Sequence, residues 1–168
     1  LLNGFGNADE IEFTRAELQR RYGVKVRYSG ADMSRPEQVR AMAELARAEF
    51  GRVDIVVNNA GIQHVAPVEE FDEAKWDAVL AINLSSAFHL VKAVVPGMKA
   101  QRFGRIVNIA SAHGLTASPF KSAYVTAKHG LIGLSKTIAL ELAEFGITSN
   151  TICPGYVKTP LVERQIAD

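Results

Sequence analysis

The chain has 168 residues, 48% of them hydrophobic and 22% charged, with 19 Lys and Arg against 18 Asp and Glu for a net charge of +1. That composition suits one globular domain long enough to bury a core, and its near-neutral charge argues against nucleic acid as a partner. A single cysteine, Cys153, excludes an intrachain disulfide. With no visible signal peptide and no apolar run expected to cross a bilayer, the expected location is the cytoplasm, with no membrane partner.

The first residues, LLNGFGNADE, raise the phosphate-binding turn G-x-G-x-x-G. The position of its third glycine holds Asp9, whose carboxylate would face the phosphates. The stretch reads instead as a strand end at 1–3 turning into a helix over 8–22, capped by Asn7 or Asp9. A strand is expected at 24–29, and a helix over 36–50 starts at Pro36, a favoured first position. VDIVVNNAG at 53–61 has an unbroken apolar core, which suits a parallel strand covered on both faces. Helices at 73–82 and 84–101 follow, then a buried strand at 104–111, a long helix over 122–145 and a strand at 147–155. Strands separated by helices predict a doubly wound α/β sheet in a single domain, with ligands gathering beyond the carboxyl ends of the strands.

The sharpest local feature is Tyr124-Val-Thr-Ala-Lys128 at the start of the long helix, because residues four apart share a helix face. A phenol near pKa 10 works as a base near neutrality only if a cation stabilises its anion, and a lysine on the same face supplies one. Taken alone, the spacing also fits an ordinary amphipathic pair. Ser111 ends a buried strand where that helix begins, so a hydroxyl, a phenol and an ammonium converge on one point; by itself it reads equally as a turn residue. Asn83, inside AINLSSAF, is a poor helix former that marks a kink, a water site or a junction cap.

NNAG at 58–61, Asn83, Ser111, Y-x-x-x-K at 124–128 and PG at 154–155, in this order, resemble the short-chain dehydrogenase/reductase family. The resemblance covers nearly the whole chain. It implies a Rossmann-type three-layer αβα fold, a nicotinamide cofactor, and the oxidation of an alcohol to a carbonyl. By this resemblance Tyr124 is the acid/base, Ser111 holds the substrate oxygen, Lys128 binds the nicotinamide ribose and tunes Tyr124, and Asn83 holds a relay water. The cofactor contacts it implies are Phe5, Asp32, Met33, Asn59, Ala60, Gly61, Ile82, Tyr124, Lys128, Pro154, Gly155, Val157 and Thr159. Asp32 reads equally as a cap for the helix at 36. LLNGFG then corresponds to the end of the family's second strand. The expectation is a fragment lacking the first strand with its glycine-rich loop and the C-terminal region, so that 1–3 and 53–57 have no common partner strand. Asn3 to Ala8 holds no cation for a 2′-phosphate, which favours NAD over NADP.

Within the family, NNAGIQHVAPVEEF, SAHGLTASPFKSAYVTAKHG and PGYVKTPLVERQI are similar to enzymes acting on a small 3-hydroxy acid. That resemblance implies a carboxylate site of Gln63, His113, Lys121 and Gln165, with Ser111 and Tyr124 at the reacting oxygen. Each of the four has a bland reading: Lys121 as a solvated lysine, His113 as a loop histidine, the glutamines as surface amides. A thioester reductase using NADPH and a non-catalytic dinucleotide sensor are the alternatives. His64, His89 and His129 form no metal-ligand spacing, so no metal is expected. Trp76 reads as helix packing and Cys153 as a small core residue. The helices at 84–101 and 122–145 are apolar on more than one face, and the resemblance implies a homotetramer built on them.

Overall fold

A computed structural model describes residues 1–157. Strand β1 (Leu2–Asn3) is followed by helix α1 (Ala8–Tyr22), strand β2 (Tyr28–Ser29), helix α2 (Pro36–Phe50) and strand β3 (Ile55–Asn58). Helices α3 (Glu73–Leu80) and α4 (Ser86–Gln101) precede strand β4 (Gly104–Ile109), helix α5 (Ser122–Leu142) and strand β5 (Ile147–Ile152).

The helix ends are set by local chemistry. The Asn7 side chain, not Asp9, caps α1 by accepting from the backbone N–H groups of Asp9 and Glu10, and Gly23 closes the helix in the left-handed conformation at φ 63°. Pro36 opens α2, and Arg35 occupies its cap with no side-chain bond. Asp32 therefore does not cap this helix. Its Oδ1 accepts instead from the Ser34 N–H at 2.8 Å and the Ser34 hydroxyl at 2.7 Å, a local Asx turn.

All strand pairs are parallel and fall into two sheets, β1–β2 and β3–β4–β5. Residues 1–3 and the strand beginning at 55 do not pair, as the sequence led one to expect. Both border one cavity, lined by Leu1 and Asn3 on one side and Ile55 to Asn58 on the other. The order across the molecule is thus β2, β1, cavity, β3, β4, β5. This is the doubly wound α/β arrangement. The core lies between β3–β4–β5 and α2, α4 and α5, and includes Val56, Val91, Val94, Met98, Ile106, Ile138 and Ile147. The other face of that sheet leaves Ile55 and Val57 more than half exposed.

Strand lengths depart from the sequence expectation. Only Tyr28–Ser29 of 24–29 pairs, because β1 offers just Leu2–Asn3 as partner. The last strand ends at Ile152, and α5 ends at Leu142 with a 3₁₀ turn over Ala143–Phe145. The two helices expected at 73–82 and 84–101 form one continuous run, joined by a π-helical turn over Ala81–Ser85. Contrary to the expectation that no segment could cross a bilayer, Glu73–Gln101 is long and apolar enough to do so. Val79, Val91, Val94 and Met98 of this run are buried in packing against the sheet and α5.

A buried polar network ties the three strands to α5. Asn58 Nδ2 donates to Asn108 Oδ1 at 2.8 Å, Asn108 Nδ2 donates to Ser135 Oγ at 3.1 Å and Ser149 Oγ at 3.4 Å, and the two serine hydroxyls bond at 2.9 Å.

Candidate active site

At the carboxyl end of β4 the chain turns through Ser111 and a 3₁₀ turn over Ala112–Gly114 onto the first turns of α5. Ser111 Oγ accepts from the backbone N–H of His113 at 3.1 Å, so the hydroxyl keeps its own hydrogen free to donate. The contact between this turn and α5 is close. A Cβ at Gly114 would lie 2.9 Å from the Lys128 carbonyl oxygen and 2.8 Å from Ile132 Cδ1.

Tyr124 and Lys128 share the inner face of α5, with the Lys128 ammonium 5.5 Å from the centre of the Tyr124 ring. Lys128 is 4% exposed, and its Nζ donates to the Ile109 carbonyl at 2.7 Å. Burial pushes its pKa down to about 8, against a smaller upward pull from Cys153. An ammonium held dry beside a phenol is what a tyrosine base requires.

Asn83 is buried at the centre of the π turn. A widened turn rotates this side chain inward, and its Oδ1 accepts from the Ile62 N–H while its Nδ2 donates to the Ile62 carbonyl, both at 2.8 Å. Asn83 is a clamp on the loop after β3. That loop brings Gly61 to the lysine: a Cβ there would lie 3.6 Å from Asn83 Oδ1 and 3.8 Å from Lys128 Nζ. Both are ordinary contact distances, so loop, clamp and ammonium meet at Gly61.

The cavity between β1 and β3, about 620 Å³, is lined at its mouth by Phe5, Asp32, Met33, Asn59, Ala60, Gly61, Ile82 and Asn83. One cavity thus gathers seven of the residues expected to hold the cofactor, together with Asn83. Pro154 joins the site by accepting from the Ala112 N–H at 2.8 Å. Gly155 and Val157 follow on the surface. Thr159 and Gln165 lie outside the described residues.

A dinucleotide fits these residues. Phe5, Asp32, Met33 and Asn59 to Gly61 all follow the carboxyl ends of β1, β2 and β3, and the Ser34 hydrogen bonds, with Arg35 nearby, hold the Asp32 carboxyl below the ordinary range and ionised. One Asp32 oxygen remains able to accept from an exocyclic amine. Among the described residues that line it, the one cationic side chain is Arg52, paired with Asp54 at 2.6 Å.

His113 lies edge-on to Tyr124 at 6.3 Å and to Tyr156 at 6.4 Å. Burial, and then the charge of Lys121, lowers its pKa. Gln63 is half-buried in the loop that Asn83 clamps. Among the described residues no cluster of three His, Cys, Asp or Glu side chains could hold a metal.

The family model for short chain dehydrogenases matches residues 6–168. The chain belongs to this family. Among its relatives are D-beta-hydroxybutyrate dehydrogenases of Rhizobium meliloti, 54% identical over 100% of this chain and 65% of that protein, and of Cupriavidus necator, 53% identical over 99% and 64%. A 3-oxoacyl-[acyl-carrier-protein] reductase of Thermotoga maritima is 40% identical over 76% of this chain and 52% of its own length. The chain therefore spans a little under two thirds of the first two relatives. Among solved structures, an NAD+-bound xylitol dehydrogenase matches with a TM-score of 0.88 and 37% identity, over 95% of this chain and 62% of that one.

Several features of this short-chain dehydrogenase were not singled out from sequence. The Ile109 carbonyl that seats Lys128 and the Ile62 backbone that Asn83 grips are main-chain groups, invisible to residue type. Asn3, whose side chain donates to the Ser29 and Ala31 carbonyls at 2.9 Å, holds the cavity's upper edge. Tyr156, which follows the Pro154-Gly155 pair at a strand end, lies edge-on to His113.

Proposed function

We propose that the chain carries the site of an NAD-dependent dehydrogenase interconverting D-3-hydroxybutyrate and acetoacetate. The observation that carries this reading is the buried Lys128 beside Tyr124, with His113 packed on the same tyrosine and under the charge of Lys121. Nicotinamide dinucleotide, when bound, supplies the hydride acceptor for the carbinol carbon. Tyr124, as phenolate, takes the hydroxyl proton, and the Lys128 ammonium offsets the negative charge on the phenolate oxygen. The Ser111 hydroxyl donates to the substrate oxygen and holds it toward Tyr124. Lys121, Gln63 and His113 bind the carboxylate, with His113 as a neutral donor. NAD is favoured over NADP because Asn3 to Ala8, beside which the adenosine ribose would lie, offers no cationic side chain for a 2′-phosphate.

The decisive assay follows absorbance of the reduced cofactor with D-3-hydroxybutyrate, its L enantiomer and a 3-hydroxyacyl thioester, each with NAD and NADP. NADH formed from the D acid alone supports the reading. Turnover of the thioester with NADP would replace it with a reductase of the thioester class, and silence on every substrate would leave a dinucleotide sensor. Tyr124→Phe should lower kcat by about 10²–10⁴, and full activity in that variant would remove Tyr124 from the chemistry. The subunits are proposed to form a homotetramer through α4 and α5, where Phe88 and Leu140 stand exposed; sedimentation equilibrium measures the mass.

A further inference from the structure

Immediately before Lys121 the backbone does something the side chain there disfavours. Phe120 has φ 63°, in the left-handed region, and Arg102 is the only other non-glycine residue there among those described. Arg102 closes α4 as a helix end commonly does. Phe120 has no such excuse. It follows Pro119 in a turn, and proline followed by positive φ is the arrangement in which glycine or asparagine normally takes the second place. A bulky residue held in that region is a strained position, and such positions persist where surrounding structure enforces them for function.

The enforcing contact is visible. The Phe120 carbonyl accepts from the Ala66 N–H at 3.0 Å, joining two loops that are otherwise distant in sequence. One carries Gln63 and is gripped at Ile62 by Asn83. The other delivers Lys121, which is the cap residue of α5 at φ −120° and ψ 36° with no side-chain capping bond. The peptide that accepts from Ala66 is also the peptide that leads into Lys121. Its orientation therefore fixes where the Lys121 side chain leaves the backbone, relative to both Gln63 and His113. The ring itself is 56% exposed, so burial of the side chain does not account for its retention.

We propose that Phe120 is a positioning residue for substrate selection: its left-handed backbone clasps the 61–67 loop and sets Lys121 and Gln63 around one carboxylate. This rests on the hydroxy-acid reading above. The role belongs to the backbone conformation, which predicts how substitutions divide. Glycine and asparagine adopt positive φ readily and preserve the clasp, while β-branched valine opposes it.

The test compares Phe120→Gly, Phe120→Asn and Phe120→Val in the intact enzyme, with D-3-hydroxybutyrate and its uncharged methyl ester as substrates. The valine variant is expected to raise KM for the acid about tenfold or more, the loss of a charge-assisted contact. Its kcat should hold within about threefold, and KM for the ester should not move. The glycine and asparagine variants should keep the parental KM for the acid. Equal losses in all three variants would assign the effect to the ring, and equal losses for acid and ester would mean general damage; either overturns the proposal. Hydrogen exchange at the Ala66 amide reads the clasp without turnover and should accelerate in Phe120→Val alone. Unchanged Ala66 protection in that variant refutes the clasp even if the acid is the substrate. A parent enzyme inactive on the acid, with Ala66 exchange responding as expected, refutes the substrate reading and leaves the clasp standing.

Discussion

Replacing Lys128 by methionine separates the electrostatic demands of the site from those of folding. Burial, opposed by a smaller pull from Cys153, takes the lysine from 10.5 to about 8. Between those values the unfolded chain holds a proton that the folded chain has lost, so lysine-linked stability rises with pH across that window. Below pH 8 the desolvated ammonium costs the native state about 3 kcal/mol, from roughly 2.5 pK units at 1.36 kcal/mol each. At pH 9 the unfolded chain is still protonated while the folded one is mostly neutral, and about 2 kcal/mol of that cost remains. Methionine keeps the apolar stem and removes the charge, but leaves the Ile109 carbonyl without its donor, a loss of about 1–2 kcal/mol. The variant should therefore be about 1–2 kcal/mol more stable than the parent at pH 7, while its dehydrogenase activity collapses. Urea unfolding of both proteins at pH 7 and pH 9 measures the difference, in which other titrations cancel. The advantage of K128M should shrink by about 1 kcal/mol between the two pH values. A difference that stays constant, or grows with pH, would refute the claim that this ammonium is held against the cost of burial.

His113 should be neutral at pH 7, because burial and the Lys121 charge both lower its pKa. Lys121→Gln removes one of these, so the imidazole titration followed by NMR should move to higher pH; an unmoved titration would place Lys121 away from His113. Gly114→Ala should lose about 1–3 kcal/mol in urea unfolding, since the added carbon meets the Lys128 carbonyl oxygen at 2.9 Å and neither backbone yields without shifting α5. Parental stability in that variant would contradict the close approach of the 112–114 turn to the helix.

Much of the fold was legible because local chemistry decided it. α1 and α2 begin and end where Asn7, Gly23, Pro36 and Gly51 place them, and each carries its own signal. β2 is shorter than the apolar pattern of 24–29 suggests because strand length belongs to the partner as much as to the segment, and β1 pairs over only two residues. Asn83 was recognisable as an anomaly within a helical run, yet the π turn and its grip on Ile62 depend on a loop twenty-one residues away in sequence. Tyr124 and Lys128 share a helix face by spacing, which alone fits an ordinary amphipathic pair, and only Ser111 and Asn83 beside them raised the pair above that; the seat of Lys128 is a carbonyl and carries no sequence mark. Phe120 is the extreme case: its residue type argues against the conformation it adopts, and only the Ala66 contact explains it.

The buried amides and hydroxyls of the central sheet bear on a different hazard. Parallel strands such as β3 and β4 could slide by two residues and keep every side chain on its own face. The hydrophobic pattern would barely register the error. Asn108 would register it, because a two-residue slide strands its amide beneath α5, away from Asn58, Ser135 and Ser149. Each buried polar group left unpaired costs about 1–3 kcal/mol, a penalty large enough to disfavour the shifted pairings during folding. The four polar side chains act as a proofreading mark, and they ensure that Asn59, Ser111 and Lys128 arrive at the same end of the sheet in step.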